Sequence, residues 1–441
     1  IATVVHIVIG KTGFIVSRLR HLKVMTVPEF YEIKYTRGVR LLGGCILALA
    51  GTLNMSLFPI LGSKFVVGFT GLGMEYVKPV MIAMLVVVVV YTLMGGMVSV
   101  VLTDFAQFIL LTVGFLFGTY FILAHPDLGW SNIVSSLETH KGGIAFDPIA
   151  NIDYGWIFIF YFVSVSFIGV VWQPEMSRPL STEDSRVARR IFWIQGLTSV
   201  GRAVIPMFWG IAAFAYTRLP SYTGGYAEDG QTAMPEMMGQ ILPIGIAGLL
   251  LAGMFAAFMS THDSYLLAWS GVIVRDIISP IKAMRARSSQ ERGDDDTWGG
   301  LSSREEVLWT RLLVVLLATV LGVVGVYYID NLPETAFKFM YITGTIYFAG
   351  AVGTVALGLY WKDANKVGAY CALILGAAAP INFLVMNIFP ESVPGWLDPL
   401  VENSNLSALA SLILGGLGMI VGSLLTRKSH PPRALDFSDM K

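Results

Sequence analysis

Long apolar runs alternate with short polar stretches along the whole chain. Eleven runs reach the roughly 20 residues that a helix needs to cross a hydrocarbon core. They are Ile1–Leu19, Leu41–Val67, Val80–Val100, Phe105–Ala124, Tyr154–Trp172, Ile191–Tyr216, Ile241–Val274, Trp309–Tyr328, Phe339–Tyr360, Gly368–Phe389 and Leu406–Leu425. The third and fourth are divided at "GGMVSVVLTD", where paired glycines precede Thr103 and Asp104. A single helix kinked at Gly95-Gly96 is the alternative there. "TVPE", Thr26 to Glu29, is a capping box with proline in the first turn, so a short helix opens in the first polar loop. Residues 284–306 read as a polar linker and 427–441 as a tail, within a single integral-membrane domain spanning 1–441.

Composition agrees with this pattern. The 441 residues are 55% hydrophobic and 14% charged, against about 25% charged in ordinary soluble domains. Mean hydropathy is +0.67. A net charge of zero argues against a nucleic-acid partner, and the lipid bilayer is the expected surrounding medium. Cys45 and Cys371 lie inside apolar runs and fit neither a disulfide framework nor a metal site. The six histidines are scattered, with no histidine–acid pair at helical spacing, so the chain is not expected to be an enzyme or to carry a cofactor.

Basic residues fix the orientation. With loops assigned alternately and the first placed inside, inside segments hold 23 of the 30 lysines and arginines. That asymmetry is the positive-inside pattern of a plasma (inner) membrane protein with a cytoplasmic C-terminus.

One apolar run contains an anomaly. In "AGMFAAFMSTHDSYLLAWSG" five polar side chains, Ser260 to Ser264, stand in a row. Ala257, Ser260, Thr261 and Ser264 fall at i, i+3, i+4 and i+7, which puts three hydroxyls on one face. Hydroxyl and carbonyl oxygens suit a hard cation. The same face equally suits close helix–helix packing. Asp263 flanks it, and a carboxylate at that depth is costly unless it has a function.

The stretch "GLLLAGMFAAFMSTHDSYLLAWSGVIVRD" resembles a helix of the sodium:solute symporter family. Four further landmarks occur in that family's order: "MTVPEFYEIKY", "YTLMGGMVSVVLTDFAQ", "QPEMSRPLSTEDSRVAR" and "GLYWKDANKVGA". The resemblance implies an all-α polytopic membrane protein with a five-plus-five inverted-repeat transporter fold. It implies about thirteen helices, with "TVPEF" after the third. Here it follows the first, so two helices are expected to be absent and the chain to begin inside the fold. It implies a sodium-coupled symporter that imports a small organic solute by alternating access, with Na+ as coupling ion. A transmembrane sensor on a transporter-like core is the alternative, and the short tail weighs against it.

Residue by residue, the resemblance aligns Ser260 and Thr261 with sodium-binding hydroxyls and Ala257 with the residue lending a carbonyl. Asp104 matches an aspartate associated with sodium passage, and an N-cap role before Phe105 can coexist. With Asp263 and Ser264 it forms the candidate sodium pathway. Trp172, Gln173 and Arg202 are the candidate substrate site. Pro174 interrupts a helix beside it, as discontinuous transporter helices require. Arg202 cannot lose its charge, so it points either to a carboxylate-bearing solute or to an internal pair with Glu175, Asp263 or Asp104.

Overall fold

The computed structural model describes residues 2–142, 147, 155–224, 230–288, 300–331, 336–388 and 403–438. These are almost wholly helical. The chain opens with α1 (Ala2–Thr12) and α2 (Val16–His21), then α3 (Val27–Lys34). Next come α4 (Arg37–Met55), α5 (Leu57–Thr70), α6 (Val77–Ala124) and α7 (Trp130–Lys141). They are followed by α8 (Gly155–Ile168), α9 (Gln173–Leu180), α10 (Ser185–Tyr216), α11 (Ala233–Ile241) and α12 (Ile244–Val272). A π-turn, Ile273–Ile278, joins α12 to α13 (Ser279–Ser288). Then come α14 (Ser303–Asn331) and α15 (Ala336–Val352), which runs through a second π-turn into α16 (Gly358–Tyr360). The described helices end with α17 (Lys366–Ile388) and α18 (Ser404–Thr426).

Nine spans among the described residues are long and apolar enough to cross a membrane. Two of the eleven runs fall short. The first gives the 11-residue α1 and then breaks at Gly13 (φ 72°) and Ile15 (φ 62°). At 1.5 Å per residue α1 covers about 16 Å, half the hydrocarbon thickness. The fifth gives the 14-residue α8, one 3₁₀ turn at Gly169–Val171, and an extended Trp172 (φ −78°, ψ 120°) before α9. Pro174, in the first turn of α9, sets that restart. The expected linker 284–306 is shorter than its bounds, since α13 reaches Ser288 and α14 begins at Ser303; residues 289–299 lie outside the described set.

α6 holds helical backbone for 48 residues, about 72 Å if straight, yet its two halves run in opposite directions. The first half rises with α12: Met84 and Phe258 meet over Gly62, and Thr92 to Met94 lie beside Leu267 and Gly271. The second half descends against α12, with Leu111 on Gly253 and Gly114 on Leu250. The Tyr91 and Thr103 hydroxyls also bond each other, although twelve positions would separate them by about 18 Å in a straight helix. The expected boundary at "GGMVSVVLTD" is therefore a tight reversal that stays helical, with spans Met74–Met94 and Thr103–Ala124 on either side.

Segments assigned to the inside by charge share one face. Arg20 donates to Thr182 O (2.6 Å), Lys34 to Arg433 O (2.7 Å), and Arg427 pairs with Asp363 (3.0 Å). At the opposite end, Lys64 bonds Gln231 (3.1 Å) and Tyr216 bonds Gln240 (2.7 Å). The tail is not merely a solvated end, because Leu435 and Phe437 pack onto the main core and the Arg18 guanidinium lies 4.8 Å from the Phe437 ring centroid.

Small residues bring α15, α17 and α18 into backbone contact, as membrane helices require when lipid supplies no hydrophobic drive. A Cβ at Gly376 would lie 2.4 Å from Gly350 N and 2.9 Å from Ala349 C. Backbone cannot step aside. Gly376→Ala is expected to cost about 1–3 kcal/mol by overpacking, read as a lower melting temperature of purified protein; an unchanged melt would mean that this contact is loose.

Candidate ion and solute site

α12 presents three oxygens at one point. Ser260 Oγ donates to the Ala257 carbonyl at 3.1 Å and Thr261 Oγ1 to the same carbonyl at 2.8 Å. Each hydroxyl spends its one hydrogen there and keeps its lone pairs. All three residues are half-buried. The arrangement offers one carbonyl and two hydroxyl oxygens to a cation, fewer than a hard cation takes, so further oxygens must complete its shell.

One turn further along α12 lies a charged group. Asp263 is fully buried, accepts from Ser264 Oγ at 3.3 Å through Oδ1, and leaves Oδ2 without a partner. Arg178, on α9, bridges Asp104 Oδ2 (2.6 Å) and Ser264 Oγ (3.1 Å), and Asp104 Oδ1 is also buried and unpartnered. The guanidinium therefore joins Asp104 to Ser264, and Ser264 in turn donates to Asp263. Two carboxylates thus stand near one arginine. Asp104 does not cap a helix, since helical backbone continues through it and its bonded oxygen serves Arg178.

The candidate substrate residues separate. Trp172 is buried, donates Nε1 to Tyr265 Oη at 3.2 Å, and packs against Trp269 and Phe348 with ring centroids 4.8 and 4.9 Å away. Gln173 faces α3 instead, accepting from Val27 N (2.9 Å) and donating to Met25 O (3.1 Å). Its amide is spent on the start of that helix. Arg202 is exposed on α10 and has no ion-pair partner among the described residues. The three acids it was weighed against are engaged elsewhere or unpartnered: Glu175 bonds His6 (2.9 Å) and Gln195 (2.7 Å), Asp104 holds Arg178, and Asp263 meets only Ser264.

Tyr265 escaped the sequence reading although a signal for it was present. It follows Ala257 and Thr261 at i+8 and i+4, on the same stripe of α12. It joins the stripe of Ala257 and Thr261 to Trp172.

The family model described as sodium:solute symporter family matches residues 1–376. The chain belongs to the sodium:solute symporter family. It is 24% identical over 412 residues to the sodium/proline symporter of Salmonella typhimurium, covering 91% of this chain and 73% of that protein. It is 23% identical over 398 residues to the sodium/glucose cotransporter of Vibrio parahaemolyticus, covering 84% and 68%. The solved structure of a Na+-coupled sialic acid symporter, in a substrate-bound outward-open state, superposes with a TM-score of 0.72 at 18% identity. It covers 98% of this chain and 84% of that one. The fold is thus the five-plus-five inverted-repeat transporter fold of an integral membrane protein, and the family supports sodium-coupled symport.

Proposed function

We propose that this protein imports a small carboxylate-bearing solute by alternating access, driven by sodium bound at Ala257 O, Ser260 Oγ and Thr261 Oγ1. The observation that carries the reading is the convergence of both hydroxyls on the Ala257 carbonyl, on a half-buried face. Sodium bound there steadies the stripe of α12 that holds Tyr265, and through it Trp172. Ion and solute then raise each other's affinity by the same factor. On release the ion moves one turn along α12, past Ser264 and the unpartnered oxygens of Asp263 and Asp104, toward the inside face. The C-terminus lies on that cytoplasmic side of the plasma membrane.

The solute class rests on Arg202. An exposed guanidinium without an ion pair keeps its planar fork for a carboxylate. Proline and sialic acid, named for two of the similar proteins, carry that group; glucose does not. Uptake of a panel of carboxylates and neutral sugars into proteoliposomes, with and without a sodium gradient, tests both parts. Sodium-driven uptake of a carboxylate is expected, abolished by Arg202→Ala and partly restored by Arg202→Lys. Equal uptake of a neutral sugar by wild type and Arg202→Ala would end the anion reading; uptake indifferent to sodium would end the coupling.

A further inference from the structure

On the inside face, away from the ion stripe, a cavity of about 400 Å³ opens between the end of the first half of α6, the last turns of α12 and the start of α14. Its deeper wall is apolar, formed by Leu93, Leu267, Val274 and Val314. Its polar rim carries Arg275 and Arg311. The margin reaches the lipid-facing surface, because Met94 is 83% and Val307 53% exposed.

The two arginines are short of acceptors. Among the described residues the one carboxylate lining the cavity is Glu306, whose Oε2 lies 3.8 Å from Arg275 Nη2, beyond hydrogen-bond reach. Arg311 is exposed and has no ion pair among the described residues. Two guanidiniums against one carboxylate leave a positive surplus. A soluble anion has no use for the apolar wall, and a zwitterionic lipid has none for the surplus charge. The geometry points to a binding site for a phospholipid with an anionic headgroup, drawn from the inner leaflet, its phosphate on Arg275 and Arg311 and its upper acyl chain along Leu93 and Val314. Basic pockets between helices on this side of a membrane suit such headgroups.

The site adjoins a part of the fold that holds other elements together. Val274 and Arg275 belong to the π-turn, a geometry often found at functional positions. The next residue, Asp276, turns away from the cavity to Arg40 Nε (2.8 Å) and Thr26 Oγ1 (2.9 Å). A lipid held at Arg275 therefore steadies the turn that anchors α3 and α4.

Native mass spectrometry of the full-length protein, equilibrated with equal amounts of phosphatidylglycerol and phosphatidylcholine, tests the assignment. Phosphatidylglycerol is expected to be retained at least tenfold over phosphatidylcholine, and Arg275→Gln with Arg311→Gln to remove the preference. Gly271→Leu supplies a second arm. A Cβ there meets nothing within 4 Å, so the larger side chain fills the cavity while both arginines remain, and it too is expected to lose the lipid. Equal retention of the two lipids by wild type, or wild-type retention of phosphatidylglycerol by Gly271→Leu, would overturn the site. Displacement of the lipid by millimolar inorganic phosphate would assign it to a soluble anion instead.

Discussion

Alanine at both Ser260 and Thr261 raises the sodium concentration for half-maximal uptake by at least tenfold. Each lost hydroxyl leaves a dehydrated cation short of one ligand, which costs about 1–3 kcal/mol by analogy with unmade buried polar contacts. Every 1.4 kcal/mol is about a factor of ten. Folding should be little affected. Among the described residues both hydroxyls bond only to the Ala257 carbonyl of their own helix, and they sit on a half-buried face, so neither deletion strands a partner in the interior. The variant should therefore melt near the wild type while its sodium titration shifts. A titration of sodium-driven uptake, run beside a thermal melt, separates the two effects. An unshifted sodium dependence in a folded variant would remove the ion from this stripe of α12.

The convergence of the two hydroxyls on the Ala257 carbonyl was legible because these residues are neighbours on one helix. Spacing put Ala257, Ser260, Thr261 and Ser264 on one face, the family resemblance singled out the first three as ion ligands, and Tyr265 lay on the same stripe. Local chemistry at the start of α3 was legible for the same reason: Thr26 Oγ1 accepts from Glu29 N at 3.2 Å, and the Glu29 carboxylate accepts from Met25 N at 2.7 Å. What escaped depends on distant parts of the chain. Gln173 stands beside Trp172 in sequence, but the extended link into α9 turns its amide to α3 and the indole to α12. Arg178 is a loop cation in the charge pattern, and only the folded chain brings it to Asp104 and Ser264. The reversal in α6 was expected at the right place for an incomplete reason. Gly95, Gly96, Thr103 and Asp104 read as the end of one helix and the cap of another, whereas helical backbone runs through all four. Apolar length also concealed that Ile1–Leu19 and Tyr154–Trp172 are not single continuous helices, because they contain backbone breaks that hydropathy does not register.

The same long-range pairing sets the stability of the inside face, where removal of Arg40 has the largest expected cost. Its Nε reaches Asp276 Oδ1 at 2.8 Å, Nη1 reaches Glu32 Oε2 at 2.9 Å, and Nη2 donates to Arg275 O at 3.1 Å. Arg37 Nε holds the other Glu32 oxygen at 2.8 Å. Asp276 is fully buried, and its second oxygen already lacks a partner. Arg40→Met thus leaves a buried carboxylate with only the Thr26 hydroxyl, a loss of about 3–5 kcal/mol for a broken buried pair. Glu32 supplies the pH dependence. Burial pushes its carboxyl up, but the bonds and charges of Arg40 and Arg37 outweigh this and hold it below its ordinary value of 4.5. A depressed carboxylate stabilises the fold above its unfolded pKa, and the contribution is lost as pH falls through the folded one. The contribution of Glu32 is therefore complete at neutral pH and is lost only in acid. Thermal melts of purified protein at neutral pH should show Arg40→Met well below wild type. Adding Asp276→Asn, which removes the stranded charge, should recover much of the difference, because the pair is coupled. If the double variant melts no higher than Arg40→Met alone, the cost lies in lost packing around the arginine stem, and the ion pair does not hold α3, α4 and the π-turn together.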